Sequence, residues 1–294
     1  FSGGPAKFVA FRLNPQELTT LRDSLLTDSR FTPLQANLGG QVELLSYQLG
    51  HRVETGGKLP LTLIWRVLRP PQPRDYIFFS HLVDEQGDLW GQGDVNGFPV
   101  PEWRPGDLVV GRYDLAVQDD APSGAYQVWV GAYDRQTVER LPLLGRVSAL
   151  GLSLGRVRVV GTPLSEAAIP QRREAPFEEG FALAGFGLER ADDQLGVSLY
   201  WRAAPVPSRD YTVFVQLLDG VGRLVAQDDS TPARGRLPTS FWEANELVAD
   251  AHRLSLANLP RGRYQLIVGL YLLETGQRLR TAGGTDHFPL TFLD

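Results

Sequence analysis

The sequence predicts an all-β protein made of two tandem antiparallel β-sandwiches, Ig-like or jelly-roll in type, with one short helix near the N-terminus. The first observation behind this prediction is an internal duplication, because the run from Leu61 to Trp65 returns as the run from Val197 to Trp201. The second is a period of two in the apolar residues, with turns rich in Gly, Pro and Asp about every ten residues. The repeat is as long as a domain, about 100–150 residues. The chain therefore holds two related domains.

The duplication covers most of both copies. Paired positions include Asp84 with Asp219, Gln92 with Gln227, Asp94 with Asp229, Trp103 with Trp242, Tyr126 with Tyr264, Gly131 with Gly269, Tyr133 with Tyr271 and Arg140 with Arg278. These pairs indicate a shared fold first and a shared function only second. We expect a strand and a helix in residues 1–36, a first sandwich in 37–161, a linker in 162–176 and a second sandwich in 177–294.

The N-terminal segment begins with the alternating run 7–13, which predicts a strand. Asn14 can cap a helix, Pro15 suits the first helical position, and Glu17 stands where a capping box needs an acid. Leucines 18, 21, 25 and 26 then form one apolar stripe at helical spacing. A helix over 15–27 is expected, and the second copy has no counterpart to it.

The strands follow from alternation between turn signals. In the first copy they are expected over 42–47, 61–65, 76–83, 89–92, 108–115, 125–133, 147–154 and 157–160. In the second copy they are expected over 182–188, 196–203, 211–218, 224–227, 247–256, 263–272 and 287–293. Residues 162–176 hold three prolines and few large apolar residues, which is typical of a linker.

Composition limits the partners. The formal net charge is −5 and both signs are spread along the chain, so no basic cluster is available for a row of phosphates and nucleic acid is not expected as a partner. No apolar run reaches the ~18–20 residues that cross a bilayer. We expect a chain that does not itself span a membrane, although its parent protein could be membrane-anchored.

Three residue types are rare or missing. There are no cysteines, which excludes disulfides, thiolate zinc sites and a cysteine nucleophile. Methionine is absent even at position 1, so the chain is expected to start inside a longer gene product or after processing. Lys7 and Lys58 are the only lysines, which suggests a GC-rich genome or a thermophilic source.

Four acids recur at hairpin ends: Asp84, Asp94, Asp219 and Asp229. Three roles are open to them. Each can cap a turn through backbone N–H groups, which Asp does readily; together they could supply oxygens to calcium; or a pair could act as glycosidase carboxylates. Turn capping is the favoured interpretation, so no cofactor is expected, and calcium is the one candidate metal.

Two tryptophans distinguish the first copy from the second. Trp90 and Trp129 stand where the second copy has Val225 and Ile267. Extra aromatics in one copy could form a platform for sugar rings, and alternation places both off the face of Trp65 and Tyr126. The aliphatic counterparts instead favour ordinary packing. Trp65, Trp201, Tyr126 and Tyr264 are expected in the cores.

Two other motifs favour no chemistry. Gly151-Leu-Ser153-Leu-Gly155 matches the hydrolase elbow, but that elbow needs a helix after it, and here a strand is expected to follow. Ser153 is therefore interpreted as a surface serine. The four histidines, at 51, 81, 252 and 287, have no metal-ligand spacing, and His81 and His252 align with Gln216 and Tyr113.

Several strings in the second copy carry a family resemblance: Arg209-Asp-Tyr-Thr-Val-Phe214, Gln227-Asp-Asp229, Gly269-Leu-Tyr271 and Thr275-Gly-Gln-Arg-Leu279. They resemble the C-terminal extracytoplasmic region of bacterial membrane glycosyltransferases of the lipid-linked-sugar type, and the likeness covers about residues 36–294. Ala244-Asn245 departs from the pattern that Pro105-Gly106 keeps. In that family the catalytic acids lie in membrane loops, which no part of this chain matches.

The resemblance implies a non-catalytic extracytoplasmic module that binds a glycan or a protein at the cell surface, or positions a membrane glycosyltransferase. The alternative is a structural subunit of a surface layer or an extracellular filament, where sandwiches associate edge to edge. A hydrolase is the third class. The residues themselves indicate architecture more firmly than activity.

Overall fold

The computed structural model describes residues 15–69, 76–94, 103–145 and 150–293, and it is all-β with one α-helix. The chain divides into two compact units between Gly161 and Thr162, except that Ser123–Ala125 group with the second unit. Helix α1 spans Pro15–Thr27, as predicted. The strand predicted over 7–13 lies outside the described residues, as do the side chains of Leu18, Leu25 and Leu26.

Unit 1 contains a single nine-stranded sheet in the order β1-β2-β4-β7-β6-β5-β8-β9-β3. Its strands are β1 (Thr32–Leu38), β2 (Val42–Leu49), β3 (Arg52–Glu54), β4 (Lys58–Val67), β5 (Tyr76–Val83), β6 (Leu89–Gln92), β7 (Leu108–Val117), β8 (Gly124–Asp134) and β9 (Leu152–Val160). The short strand β3 runs parallel to β9. Strands β1 and β3 were not predicted, and the predicted break at Gly155 is wrong, because Gly155 lies inside β9.

The core of unit 1 lies on one side of these strands. Trp65 and Tyr126 are 1% and 0% exposed, as their alternation predicted. Trp103 enters from a loop, is 4% exposed, and packs its ring 5.3 Å from that of Phe78. The Tyr126 hydroxyl donates a hydrogen bond of 2.6 Å to the carbonyl oxygen of Pro122. Burying each such aromatic stabilises the unit by about 1.5–3 kcal/mol.

Unit 2 contains two four-stranded antiparallel sheets, β10-β11-β12-β15 and β14-β13-β16-β17. The strands are β10 (Gln171–Pro176), β11 (Phe181–Ala191), β12 (Gln194–Ala203), β13 (Thr212–Leu218), β14 (Leu224–Ser230), β15 (Val248–Ser255), β16 (Tyr264–Tyr271) and β17 (Phe288–Leu293). One buried cluster includes side chains of both sheets, Trp201 and Val215 among them. Tyr264, which was expected in the core, is only half-buried, although its hydroxyl bonds Pro260 as Tyr126 bonds Pro122.

The predicted linker is too long at its C-terminal end. Residues Gln171–Pro176 form β10, which pairs antiparallel with β11. Of its six side chains only that of Ala175 is buried. Backbone hydrogen bonds to β11 hold this strand, and a strand without a buried face leaves no apolar alternation to read.

The two units differ in one strand pairing. In unit 1, β6 pairs with β7 and closes the sheet at that point. In unit 2 the equivalent strands β14 and β15 belong to different sheets. Register confirms the equivalence of β7 and β15, because Tyr113 faces Leu61 and His252 faces Val197, the copy of Leu61.

Candidate functional site

Two of the four repeated acids are turn caps. Asp84 Oδ1 accepts backbone N–H groups of Gln86 and Asp88, at 3.0 and 2.9 Å. Asp219 Oδ1 accepts those of Val221 and Arg223 in the same way, at 3.0 and 2.9 Å. These bonds to the residues two and four positions further on stabilise the tips of equivalent hairpins, which is the capping role considered for them.

The carboxylate of Asp219 is also held by a cation. Its backbone hydrogen bonds, together with the Arg223 guanidinium 2.8 Å away, hold the pKa of Asp219 below its usual range. Its second oxygen is therefore already paired.

The other two acids lie at the far ends of β6 and β14, on the face of the sheet that points away from the core. Asp94 Oδ2 accepts a hydrogen bond of 3.0 Å from the Tyr133 hydroxyl, and Oδ1 lies 3.4 Å from His81 Nε2. Asp229 is bonded by the hydroxyl of Tyr271, the copy of Tyr133. Burial raises the pKa of Asp229 above its ordinary value, because the ionised form loses solvation there.

The structure does not gather these acids into a metal site. Asp84 and Asp219 cap turns, whereas Asp94 and Asp229 each bond a tyrosine in a different unit. Across the described ranges, no three or more His, Asp or Glu side chains stand close enough to hold a metal ion.

Trp90 is not part of an exposed platform. The pairing of β5 with β6 is irregular between Leu82 and Val83, and Trp90 is the extra residue of this β-bulge. The bulge turns the indole toward the core, where it is half-buried against the cluster that contains Trp65. Trp90 Nε1 donates a hydrogen bond of 2.7 Å to Asp84 Oδ2. Alternation alone had placed Trp90 on the opposite face.

Trp129 lies on the outer face. Its neighbours in β8, Val128 and Val130, are fully buried in the core, so alternation points Trp129 away from it. Trp129 is half-buried, and in the β5–β8 register it stands opposite His81. The two tryptophans singled out from the sequence are therefore on opposite faces of the sheet.

Four rings share the outer face of β5 and β8: Phe79, His81, Trp129 and Tyr133, hereafter the aromatic face. The Phe79 ring centroid lies 4.6 Å from that of His81 and 6.1 Å from that of Tyr133. Arg140 stacks on Phe79 with its guanidinium carbon 4.7 Å from the ring centre. Asp94 lies at the edge of this group, against Tyr133 and His81.

Unit 2 repeats the framework of the aromatic face but not its openness. Phe214 and Tyr271 take the places of Phe79 and Tyr133, and Arg278 stacks 4.2 Å from the centre of Phe214. Arg278 also donates a hydrogen bond of 3.2 Å to Gln216 Oε1. Gln216 and Ile267, which replace His81 and Trp129, are 8% and 2% exposed. The equivalent surface of unit 2 is closed.

A buried polar cluster in unit 2 has no counterpart among the described residues of unit 1. His252 Nε2 lies 2.8 Å from Asp250 Oδ2, and His252 Nδ1 lies 3.1 Å from the carbonyl oxygen of Asp228. His252 and Asp250 are 3% and 1% exposed. The cluster joins the edge strands β14 and β15, which no backbone pairing connects.

The carboxylate of Asp228 anchors this cluster. It accepts two hydrogen bonds from Arg234, at 3.0 and 2.6 Å, and one of 2.7 Å from the Arg253 N–H. Burial alone raises the pKa of Asp228, but these donors outweigh it and hold the pKa below the usual value. The signal available in the sequence was polar residues at inward positions of a predicted strand, Asp250 and His252.

Ser153 is not a nucleophile elbow. It lies exposed within β9 and accepts a hydrogen bond of 2.7 Å from Gln127 Nε2. A hydrolase elbow places the serine on a sharp turn between strand and helix.

No helix in the described part of the chain has the length and apolar character required to cross a bilayer.

No protein-family model matches the sequence, and no curated protein does. Solved structures with partial similarity include a glycosyl hydrolase family 2 member from Bacteroides cellulosilyticus, with 10% identity over 81% of this chain and 27% of that chain and a TM-score of 0.26. A β-glucuronidase from glycoside hydrolase family 2 shows 11% identity over 77% and 24%, with a TM-score of 0.26. The native conformation of E. coli α-2-macroglobulin shows 12% identity over 89% and 14%, with a TM-score of 0.23.

The chain thus spans about a quarter or less of each of these larger proteins. Similarity at this level assigns this chain neither a family nor an activity.

Proposed function

We propose that this chain is a non-catalytic module of two tandem β-sandwiches, Ig-like or jelly-roll in type, that binds carbohydrate through the aromatic face of unit 1. One observation carries the proposal. At two equivalent positions of the outer faces, unit 1 has half-buried rings, His81 and Trp129, and unit 2 has the covered side chains Gln216 and Ile267. An open aromatic surface in only one copy of a duplicated fold marks an interaction site.

The chemistry of the surface suits a sugar. An indole ring presents a flat apolar surface with one polar edge, and the C–H face of a pyranose packs on such a ring. The Asp94 carboxylate, against His81 and Tyr133, can accept hydrogen bonds only, which matches the hydroxyl donors of a sugar. Its side chain is 27% exposed, so it remains accessible to a ligand. An aromatic ring and a hydrogen-bond acceptor together can recognise both the apolar C–H face and the hydroxyl groups of a sugar.

The cellular setting is proposed from the family resemblance. Here the module would lie outside the cytoplasm, on or beside a membrane glycosyltransferase of the lipid-linked-sugar type, and would hold a glycan or position the enzyme. The motifs behind this resemblance include Trp201 and Tyr211, both buried in the core. They support a shared fold more directly than a shared ligand.

A glycan array tests carbohydrate binding. The wild-type chain should bind at least one glycan, and Trp129→Ile, which copies unit 2, should lower that signal about tenfold or more, as expected for loss of a stacking ring. Trp90→Val, which copies Val225 in the same way, is the matched control and should keep the binding. The proposal is wrong if Trp129→Ile binds like the wild type while remaining folded.

Size-exclusion chromatography tests the alternative of a surface-layer or filament subunit. Sandwich subunits that associate through sheet edges would form large polymers. A monodisperse chain that binds glycan supports the binding module. Polymers that form without any glycan binding would favour assembly.

A further inference from the structure

We infer that the aromatic face binds a linear oligosaccharide lying along β8, about three sugar units long, rather than a single sugar residue. This inference rests on the proposed carbohydrate binding and adds the shape of the ligand. It follows from the spacing of the two half-buried rings of β8, Trp129 and Tyr133.

Trp129 and Tyr133 are four residues apart on one strand, and residues two apart share a face. At ~3.4 Å per residue, their Cα atoms are ~14 Å apart. One pyranose ring cannot reach both side chains at that distance, whereas about three linked units can. The rings therefore mark two ends of an elongated site.

Gly131 and Phe79 form the floor between the two rings. Gly131 stands halfway, and it contributes no side chain to the surface. The Phe79 ring packs directly against it, because a Cβ on Gly131 would lie only 2.6 Å from Phe79 Cζ. Phe79 itself is 1% exposed and forms the buried base of the site. Arg140 stacks on the Phe79 ring, so a chain of sugar rings that runs from Trp129 to Tyr133 would contact the Arg140 guanidinium midway.

Hydrogen-bonding groups line the flank formed by β6. Gln92 is exposed and faces His81 in the β5–β6 register. Asp94 follows it, and its carboxylate is bonded to Tyr133 and lies 3.4 Å from His81. Gln92 stands at the Trp129 end of the ring-to-ring span, because His81 also faces Trp129, and Asp94 stands nearer the middle. They can accept hydroxyl hydrogens from a sugar unit placed between the two terminal rings.

Unit 2 supplies an internal comparison. Ile267 and Tyr271 have the same spacing along β16, but Ile267 is covered and Arg278 reaches across Phe214 to Gln216. The same strand geometry is therefore present without a half-buried ring at the position equivalent to Trp129. A ligand that must contact two rings at this spacing should bind to unit 1 alone.

The test is an array of immobilised linear oligosaccharides, each series running from one to six units: β-1,4-glucose, β-1,4-N-acetylglucosamine, α-1,4-glucose, β-1,3-glucose and α-1,6-mannose. In any series that binds, the wild-type signal should be weak for one unit, rise about tenfold or more by three units, and then level off. Tyr133→Leu should abolish this rise, because only the Trp129 end remains. Tyr271→Leu, the matched change in unit 2, should leave the length dependence intact.

The outcomes separate the two proposals. A monosaccharide that binds as tightly as its trimer, or a length dependence unchanged in a folded Tyr133→Leu variant, overturns the elongated site but leaves carbohydrate binding in place. Absence of binding in every series, and on the wider glycan array, overturns carbohydrate binding itself. Circular dichroism of both leucine variants verifies that each is folded.

Discussion

The Tyr133 hydroxyl donates a hydrogen bond of 3.0 Å to the carboxylate of Asp94. Tyr271 makes the same bond to Asp229 in unit 2. Burial, followed by the nearby carboxylate, raises the pKa of both phenols, so both remain donors at neutral pH. The duplicated fold has kept this pair in both copies, but only in unit 1 does it border an open aromatic surface.

Removing the two hydroxyls one at a time should separate binding from stability. Tyr133→Phe keeps the ring but loses the bond that orients Asp94, so glycan affinity should fall by about three- to tenfold. Tyr271→Phe should leave affinity unchanged. Isothermal titration with the array-selected oligosaccharide measures both variants. Equal losses in the two would show that the bond acts through general stability.

The buried cluster of unit 2 should be costly to break. His252→Leu removes the side-chain partner of Asp250 Oδ2 and leaves the buried Asp250 carboxylate with the Ala233 N–H on its other oxygen. This should destabilise unit 2 by about 3–5 kcal/mol. The double change of Asp250 and His252 to leucine should recover part of that loss, because no unpaired charge then remains at position 250. Urea unfolding provides the free energies, and hydrogen exchange of β15 localises the effect. A loss below about 1 kcal/mol in His252→Leu would contradict this role.

Alkaline pH should weaken unit 1 through Tyr113. Burial raises the pKa of this phenol from 10.0 to about 12. Since the unfolded chain releases the proton first, the stability contributed by protonated Tyr113 is present below pH 10 and is lost as the pH rises toward 12. The expected loss is about 2–3 kcal/mol.

Tyr113→Phe cannot ionise and should lack this part of the pH dependence. Urea midpoints of the wild type and the variant, compared below pH 10 and near pH 12, measure the difference. If the urea midpoints of the wild type and the variant changed with pH in parallel, the raised pKa of Tyr113 would be contradicted.

A chelator should not change the melting temperature. An ion bound only to the folded state would stabilise it, and its removal would lower the transition. The oxygens of Asp84 and Asp219 are instead occupied by turn N–H groups, Trp90 and Arg223. Thermal unfolding with and without EDTA measures this. A shift of several degrees would restore calcium as a ligand of these hairpins.

The sequence predicted the strands that have one buried face. Runs such as Leu108–Val117 and Val248–Ser255 were visible because a core on one side imposes a period of two. Strands β1, β3 and β10 were missed for the opposite reason. They are short or have few buried side chains, and they are held by backbone pairing that leaves no apolar pattern.

The candidate site was predicted only in part. Comparing the two copies singled out Trp129, and the structure places it on the open face. The same comparison placed Trp90 beside it, because alternation cannot reveal a bulge. Phe79, His81 and Tyr133 could not be joined to Trp129 from spacing alone, since they come together through the pairing of β5 with β8.

The bulge at Trp90 also determines to which face of the sheet the side chains that follow it in the chain point. Two successive residues, Trp90 and Gly91, turn toward the core, so Gln92 and Asp94 emerge on the aromatic face. The hairpin of unit 2 keeps the same irregularity at Val225 and delivers Asp229 likewise. Loss of one residue at the bulge would invert this alternation and withdraw Asp94 from the surface, whereas the hairpin tip can change length without doing so. The place of Asp94 on the aromatic face thus depends on the number of residues in β6.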